Sequence, residues 1–443
     1  MSYFRKVAAA LAATAAVAMP GTAEASQVKL GAELGSAAFT AEKGKRIYLR
    51  IGLEGLALAG ESKRMPVNVG LVIDRSGSME DENKIGKARE AAIMALGRLG
   101  AGDYASVVAF NHEVGVLMPA TRVLDHIEIV RSIEKLTADG NTALYAGTDQ
   151  GIREVEKFLA KNQVNRVILI SDGLANVGPS TPGELAELGR RAGGKGITIS
   201  TIGLGLGYNE DLMTKLAYSS DGNHAFVERA DQLVDIFNKE FGDALSIVAQ
   251  ELIIKIECGD GFKPIRALGR EATIENGTVT LQLNQIAGRQ QKYAVIELEV
   301  PASVATGDVS VADIELSYRG MGGQSRESVR TKVTARITEK AAEEQASLNK
   351  EAMGDISTQL ANEVHEEAIQ LRDEGKVEDA KKLLNGYAAS LESFGASSGV
   401  AAAAPIAKQF REDAEMLDSD ADWNRTRKSM RAYEHKNKVQ QSY

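Results

Sequence analysis

From Met65 to Ala244, short apolar runs alternate with amphipathic runs of helical period, and this rhythm constrains the fold more than any other feature of the chain. VNVGLVI, YASVVAF, NRVILIS and ITISTIG are nearly continuous in Val, Ile, Leu and Ala, as strands covered on both faces are, and NHAFVE reads as an edge strand. Between them, KIGKAREAAIMALGRL sets Ile85, Ala88, Ala92, Leu96 and Leu99 on one helical face. HIEIVRSIEKL, ALYAGTDQGIREVEKFLA, GELAELGRRA, EDLMTKLA and DQLVDIFNKEF repeat the helical period. Strand and helix in alternation predict an α/β fold with a doubly wound, mostly parallel sheet.

On either side the period drops to two. VKLGAELGSAAFTAEKGKRIYLRIGLEGL precedes the α/β region, and ELIIKIEC, TVTLQLNQI, KYAVIELEVP, VSVADIELSYRG and SVRTKVTARIT follow it, separated by Gly, Asn-Gly and Pro turn signals. A few early strands cannot bury their faces alone, so they are expected to join the later ones in a β-sandwich into which the α/β unit is inserted. The expected organisation is a signal peptide over 1–25, N-terminal sandwich strands over 26–64, the α/β domain over 65–244, the rest of the sandwich over 245–338 and helices over 339–443. Within the last region, HEEAIQLRDEGKVEDAKKLLNGYAASLESF reads as two helices joined at Gly375. It resembles a single tetratricopeptide-like hairpin, which cannot hold a core by itself, so packed C-terminal helices are expected. GASSGVAAAAP reads as a small-residue linker to a last helix ending RTRKSMRAYEHKNK. The basic end of that helix is expected to be a solvated face, with peripheral contact to anionic envelope lipid or an acidic partner as the alternative.

The opening residues MSYFRKVAAALAATAAVAMPGTAEAS place Arg5 and Lys6 before an Ala/Val-rich run and Ala23-Glu24-Ala25 before Ser26, the pattern of a cleaved secretory signal. Export, to a periplasm or outside the cell, is the expectation. Loss of Arg5, Lys6 and Glu24 would take the formal charge from -9 to about -10. Such an acidic chain is a poor binder of nucleic acid. No segment after the signal run is long and apolar enough to span a membrane. The one cysteine, Cys258 in ELIIKIECG, cannot form an internal disulfide and reads as a small buried strand residue.

The first strand of the α/β unit runs into DRSGSM, where Asp74, Ser76 and Ser78 occupy alternate positions and Gly77 frees the backbone to fold around a small volume. Ligands of open α/β sheets gather beyond the carboxyl ends of the strands. Further oxygen donors are therefore sought there: GNTAL supplies Thr142 before a helix, and VILISDG supplies Asp172 after the most apolar strand. DRSGSM, the Thr of GNTAL and the Asp of SDG together resemble, in that order, the metal-ion-dependent adhesion site of von Willebrand factor A domains, which are integrin I-like and Rossmann-like. The resemblance covers about 65–244, and the wider plan is similar to that of exported bacterial von Willebrand A proteins. It implies that Ser76 and Ser78 bind a cation through their hydroxyls and Thr142 directly or through water. Asp74 and Asp172 would act largely through bridging waters, holding the hydroxyls. An all-oxygen set favours Mg²⁺, with Mn²⁺ or Ca²⁺ as alternatives, over Zn²⁺.

Other motifs carry less. GLGLG at Gly203 to Gly207 follows a late strand without the dinucleotide spacing and reads as a flexible loop. DSDADW has Trp423 where a calcium loop needs Gly, and reads as a helix start. The five histidines show no metal-ligand spacing. The expected function is a non-enzymatic, divalent-cation-dependent protein-binding module of the cell envelope, for adhesion or assembly, with an Asp or Glu of the partner completing the site. One alternative is a metal-dependent hydrolase, for which no nucleophile and general acid stand out. The other is an accessory subunit of a membrane channel or transport complex.

Overall fold

A computed structural model describes residues 26–441 apart from 41, 43, 58–63, 125–126, 260, 302–304 and 321–324, so the expected signal peptide lies outside the described residues. The chain begins with β1 (Val28–Leu34), β2 (Ala38–Thr40) and β3 (Arg46–Gly55). It continues through β4 (Val67–Asp74), α1 (Lys84–Leu96), β5 (Tyr104–Phe110), β6 (Val114–Arg122), α2 (Ile127–Glu134), α3 (Leu144–Glu156), β7 (Val164–Ser171), α4 (Pro182–Gly193), β8 (Ile197–Leu204), α5 (Glu210–Tyr218), β9 (His224–Val227) and α6 (Leu233–Leu245). Seven strands follow: β10 (Ile247–Cys258), β11 (Lys263–Leu268), β12 (Thr273–Glu275), β13 (Thr278–Ala287), β14 (Gln291–Glu299), β15 (Gly307–Gly320) and β16 (Arg326–Thr338). The last elements are α7 (Ala341–Ala346), α8 (Lys350–Asp373), α9 (Val377–Ser398), α10 (Ala403–Glu415) and α11 (Asp420–Val439).

The central sheet has the order β6-β5-β4-β7-β8-β9. All its pairings are parallel except that of β5 with β6. This is the doubly wound α/β fold expected from the alternation. β4, β7 and β8 are buried along their whole length because helices cover both faces. Val67, Val69, Leu71 and Ile73 pack into the cluster that holds Ala88 and Leu96 of α1 and Phe237 and Phe241 of α6. Val72 belongs to the opposite cluster, with Leu144 and Ile152 of α3. Alternation along a strand therefore turns Asp74, two residues on, towards the α3 side. On β7, Val167 and Leu169 share that side, and Ser171 follows on the same parity.

The sequence pattern does not reveal β6. VGVLMPATR carries Gly115 and Pro119, which disqualify a central strand, but the edge position it occupies tolerates both.

The remaining strands form two sheets, β1-β3-β14-β11 and β12-β13-β10-β15-β16-β2, antiparallel except where β2 meets β16. Leu49, Ile51 and Leu53 of β3 share a core with Leu252, Ile254 and Ile256 of β10. The chain leaves these sheets after β3 and returns at β10. Cys258 ends β10 half-buried instead of fully buried, and burial pushes its thiol up to about 11.

Two readings of the C-terminal region are corrected. GASSGVAAAAP is mostly helix, because α9 runs to Ser398 and α10 begins at Ala403, and the small residues allow close packing of the two. The basic end of the last helix is not a solvated face. Arg427 pairs with Glu210, with Asp211 at 2.7 Å and with Asp373 at 2.8 Å, while Lys428 reaches Glu210 at 2.7 Å and Arg431 reaches Asp211 at 3.0 Å. These acids lie on α5 and α8, far away in sequence, so local charge patterning could not reveal them. Ser419 caps α11 by accepting from Asp422 N at 3.2 Å, which makes DSDADW a helix start.

Beneath the sheet, Arg166 of β7 and Glu240 of α6 form a buried ion pair at 2.5 Å. Ser200 and Asn223 also donate to Glu240. Removing one charge strands the other in the interior. Arg166→Met alone is expected to lower stability by about 3–5 kcal/mol, and adding Glu240→Leu should recover most of that loss. Urea unfolding of the full chain followed by circular dichroism measures both changes; a single variant costing less than about 1 kcal/mol would contradict the buried-pair account.

Candidate metal centre

Three loops meet beyond the carboxyl ends of β4 and β7. The first follows Asp74. Its backbone is pinned by Arg75 N donating to Phe110 O at 2.8 Å, Asp139 N to Arg75 O at 2.7 Å and Gly77 N to Gly140 O at 2.9 Å. Asp74 is fully buried. Its Oδ1 accepts from Ser76 N at 2.8 Å, and its Oδ2 accepts from Ser171 Oγ at 2.5 Å. The Ser76 and Ser78 hydroxyls lie 3.3 Å apart, and Ser78 Oγ donates to Asp172 Oδ1 at 2.7 Å.

The second loop carries Thr142, two residues before α3. Thr142 N donates to Asn176 Oδ1 at 2.8 Å, and Thr142 O accepts from Asn176 N and Val177 N, each at 3.2 Å. The third loop carries Asp172 and Gly173. A Cβ at Gly173 would lie 2.7 Å from Thr142 Oγ1 and 3.3 Å from Asp74 Oδ2. Glycine thus leaves open the place where the Thr142 hydroxyl and the Asp74 carboxylate approach each other. Asp74, Ser76, Ser78, Thr142 and Asp172, the five residues singled out from the sequence, therefore form one cluster, buried except for Ser78 at its mouth.

The donor set suits a hard divalent ion. It consists of three hydroxyls and two carboxylates, and among the described residues no group of three or more His, Cys, Asp or Glu is placed to hold a metal ion. Ser78, while donating to Asp172, keeps its oxygen lone pairs available to a cation. The residues present fit the ion that the adhesion-site pattern implies.

Burial pushes the Asp74 carboxyl up to about 6; hydrogen bonds from Ser171 and Ser76 pull it down, and the nearby Asp172 charge pushes it up. Three contributors were not singled out in the sequence: Ser171, Asn176, and Lys84, whose Nζ lies 2.7 Å from Asp172 Oδ2. Ser171 was recoverable in principle. It has the same strand parity as Asp74, and the parallel register sets Ile73 opposite Ile170. Lys84 carried no signal, because nothing local shows which acid a helix-start lysine meets.

Comparison with known proteins agrees with this geometry. Residues 68–239 match the von Willebrand factor type A domain. The chain is 31% identical over 179 residues to the Synechocystis sp. protein sll0103, covering 40% of this chain and 42% of that one. It is 30% identical over 175 residues to the human inter-alpha-trypsin inhibitor heavy chain H3, covering 37% of this chain and 19% of that one. The chain therefore spans less than half the length of these curated relatives. Among solved structures, a von Willebrand factor type A protein from Catenulispora acidiphila superposes with a TM-score of 0.70 at 17% identity, over 89% of this chain and 90% of that one, which shows a shared fold. The α/β unit is a von Willebrand factor A domain. Domains of this type commonly bind a divalent metal and typically mediate protein-protein interaction or adhesion.

The raised Asp74 has a consequence for the metal-free protein. Folded, Asp74 holds its proton to higher pH than it does unfolded, so stability falls as pH rises from about 4 to about 6, by on the order of 3 kcal/mol in all. In EDTA, Asp74→Asn is expected to melt higher than the parent at pH 7 and to depend less on pH across that window. Calorimetry at several pH values checks this, and a lower melting temperature for the variant at pH 7 would contradict it.

Proposed function

We propose that this von Willebrand factor A domain serves a divalent-cation-dependent protein-binding module of the cell envelope, exported and working in adhesion or assembly. Ser76, Ser78 and Thr142 would hold the ion, with Mg²⁺ favoured and Mn²⁺ or Ca²⁺ as alternatives. Asp74 and Asp172 would stand behind them. When bound, the ion supplies a strong positive centre with a replaceable water, and an anionic oxygen is its natural replacement.

The observation that carries this reading is how the two carboxylates are engaged. Asp74 accepts from Ser171 and from the Ser76 backbone, and Asp172 accepts from Ser78 and Lys84. With their oxygens drawn into hydrogen bonds, both acids are suited to positioning hydroxyls more than to gripping an ion. The site is then short of one anionic ligand, which a partner's Asp or Glu would provide. Export is supported by the residue pattern of 1–25. No helix among the described residues is long and apolar enough to cross a membrane.

Two measurements test the proposal. Ser76→Ala should weaken Mn²⁺ binding by about tenfold or more, read by electron paramagnetic resonance, with little change in melting temperature because the hydroxyl lies in a loop above the core. Envelope proteins retained on the immobilised chain in Mg²⁺ should be released by EDTA, and changing one exposed Asp or Glu of the retained partner to its amide should abolish retention. Retention that survives EDTA, or that tolerates every such change, would overturn a metal-bridged partner.

A further inference from the structure

Lys84 is the first residue of α1, and its side chain reaches back to the site. Its Nζ lies 2.7 Å from Asp172 Oδ2 and 3.4 Å from Ser78 O, with the side chain only 12% exposed. Its position is prepared by the GLGLG segment. Gly205 adopts φ +66°, and a Cβ there would lie 3.3 Å from Lys84 Cε and 3.6 Å from Nζ. A side chain at this position would crowd the lysine stem as well as strain the backbone. A segment read from sequence as a flexible loop is thus the saddle over which Lys84 lies.

We infer that Lys84 sets the charge of the proposed metal centre, keeping the loaded site cationic so that it requires a carboxylate from outside; this rests on the function proposed above. Asp74 and Asp172 alone would neutralise a divalent ion. Lys84 cancels Asp172, so the loaded centre retains about one positive charge. It also fixes the orientation of Asp172. With Oδ1 held by Ser78 and Oδ2 by Lys84, the carboxylate is kept back from direct ligation. A divalent ion so placed is held less tightly by the protein and pulls harder on an external carboxylate. Glu80, Asp81 and Glu82 on the same loop are exposed, so solvent screens them and they cannot replace this buried, short-range effect.

The alternative role for a buried lysine here is a lock that occupies the cation's place. The two roles predict opposite responses of a carboxylate ligand. Lys84→Met keeps the stem over Gly205 and removes the charge, Lys84→Arg keeps the charge, and Lys84→Gln repeats the neutral substitution should the methionine variant unfold. Mn²⁺ affinity is read by electron paramagnetic resonance, and acetate binding to the Mn²⁺-loaded protein by water-proton relaxation at ionic strength matched with chloride. Lys84→Met should bind Mn²⁺ about tenfold more tightly and acetate about tenfold more weakly than the parent, with Lys84→Arg close to the parent in both. Tightening of both Mn²⁺ and acetate would mark Lys84 as a lock and overturn the inference, as would an unchanged Mn²⁺ affinity or a weakening of both. A parent chain that takes up no Mn²⁺ would instead overturn the metal-dependent function itself.

Discussion

The site depends on the parallel pairing of β4 with β7. With Ile73 opposite Ile170, the next residues, Asp74 and Ser171, leave the sheet side by side on the α3 face, and Ser171 Oγ meets Asp74 Oδ2 at 2.5 Å. A slip of one residue would turn every side chain to the opposite face, sending Asp74 towards α1 and exchanging the residues that fill the two cores. The register is held by the cores on both sides, Leu71, Ile73, Ile168 and Ile170 in one and Val72, Val167 and Leu169 in the other. Packing beneath the sheet thus fixes the polar geometry at its edge.

From this anchor the remaining contacts follow at short range. Gly173 brings Thr142 and Asp74 together, Ser78 joins Asp74's loop to Asp172, and Lys84 closes the set from the start of α1. The neighbouring loop also leads to the C-terminal helices. Leu206, between the two glycines beside the site, accepts from Asn424 Nδ2 of α11 at 3.2 Å. Further along, Arg427 and Lys428 bind the acids at the start of α5, and Gly222 O meets His435 Nε2 at 3.0 Å. Burial pushes His435 down to about 4, so at neutral pH this contact is made by an uncharged ring. The last helix is therefore docked onto the β8–β9 side of the sheet by neutral and charged contacts alike.

Much of this was legible in the sequence. Uninterrupted apolar runs such as NRVILIS required a sheet covered on both faces, and DRSGSM with Thr142 and Asp172 identified the cluster because those residues end strands or precede helices at one edge of the sheet. What escaped was set by partners distant in the chain. The partners of Arg427 are more than fifty residues away, on α8 and α5, so its charge run looked solvated. VGVLMPATR does not read as a strand, because only its edge position excuses Gly115 and Pro119. GASSGVAAAAP reads as a linker because small residues suit loops, yet alanine is the best helix former, and Ala403 is buried in the C-terminal core.

The central claim is that three hydroxyls grip the ion while two carboxylates stand behind them. Anomalous diffraction from crystals of the Mn²⁺-loaded protein tests it directly. The account predicts one ion, with Ser76 Oγ and Ser78 Oγ at about 2.1–2.3 Å, Thr142 bound directly or through one water, and neither Asp74 nor Asp172 in direct contact. An ion chelated by those carboxylates, or no ion between the loops at saturating Mn²⁺, would contradict it.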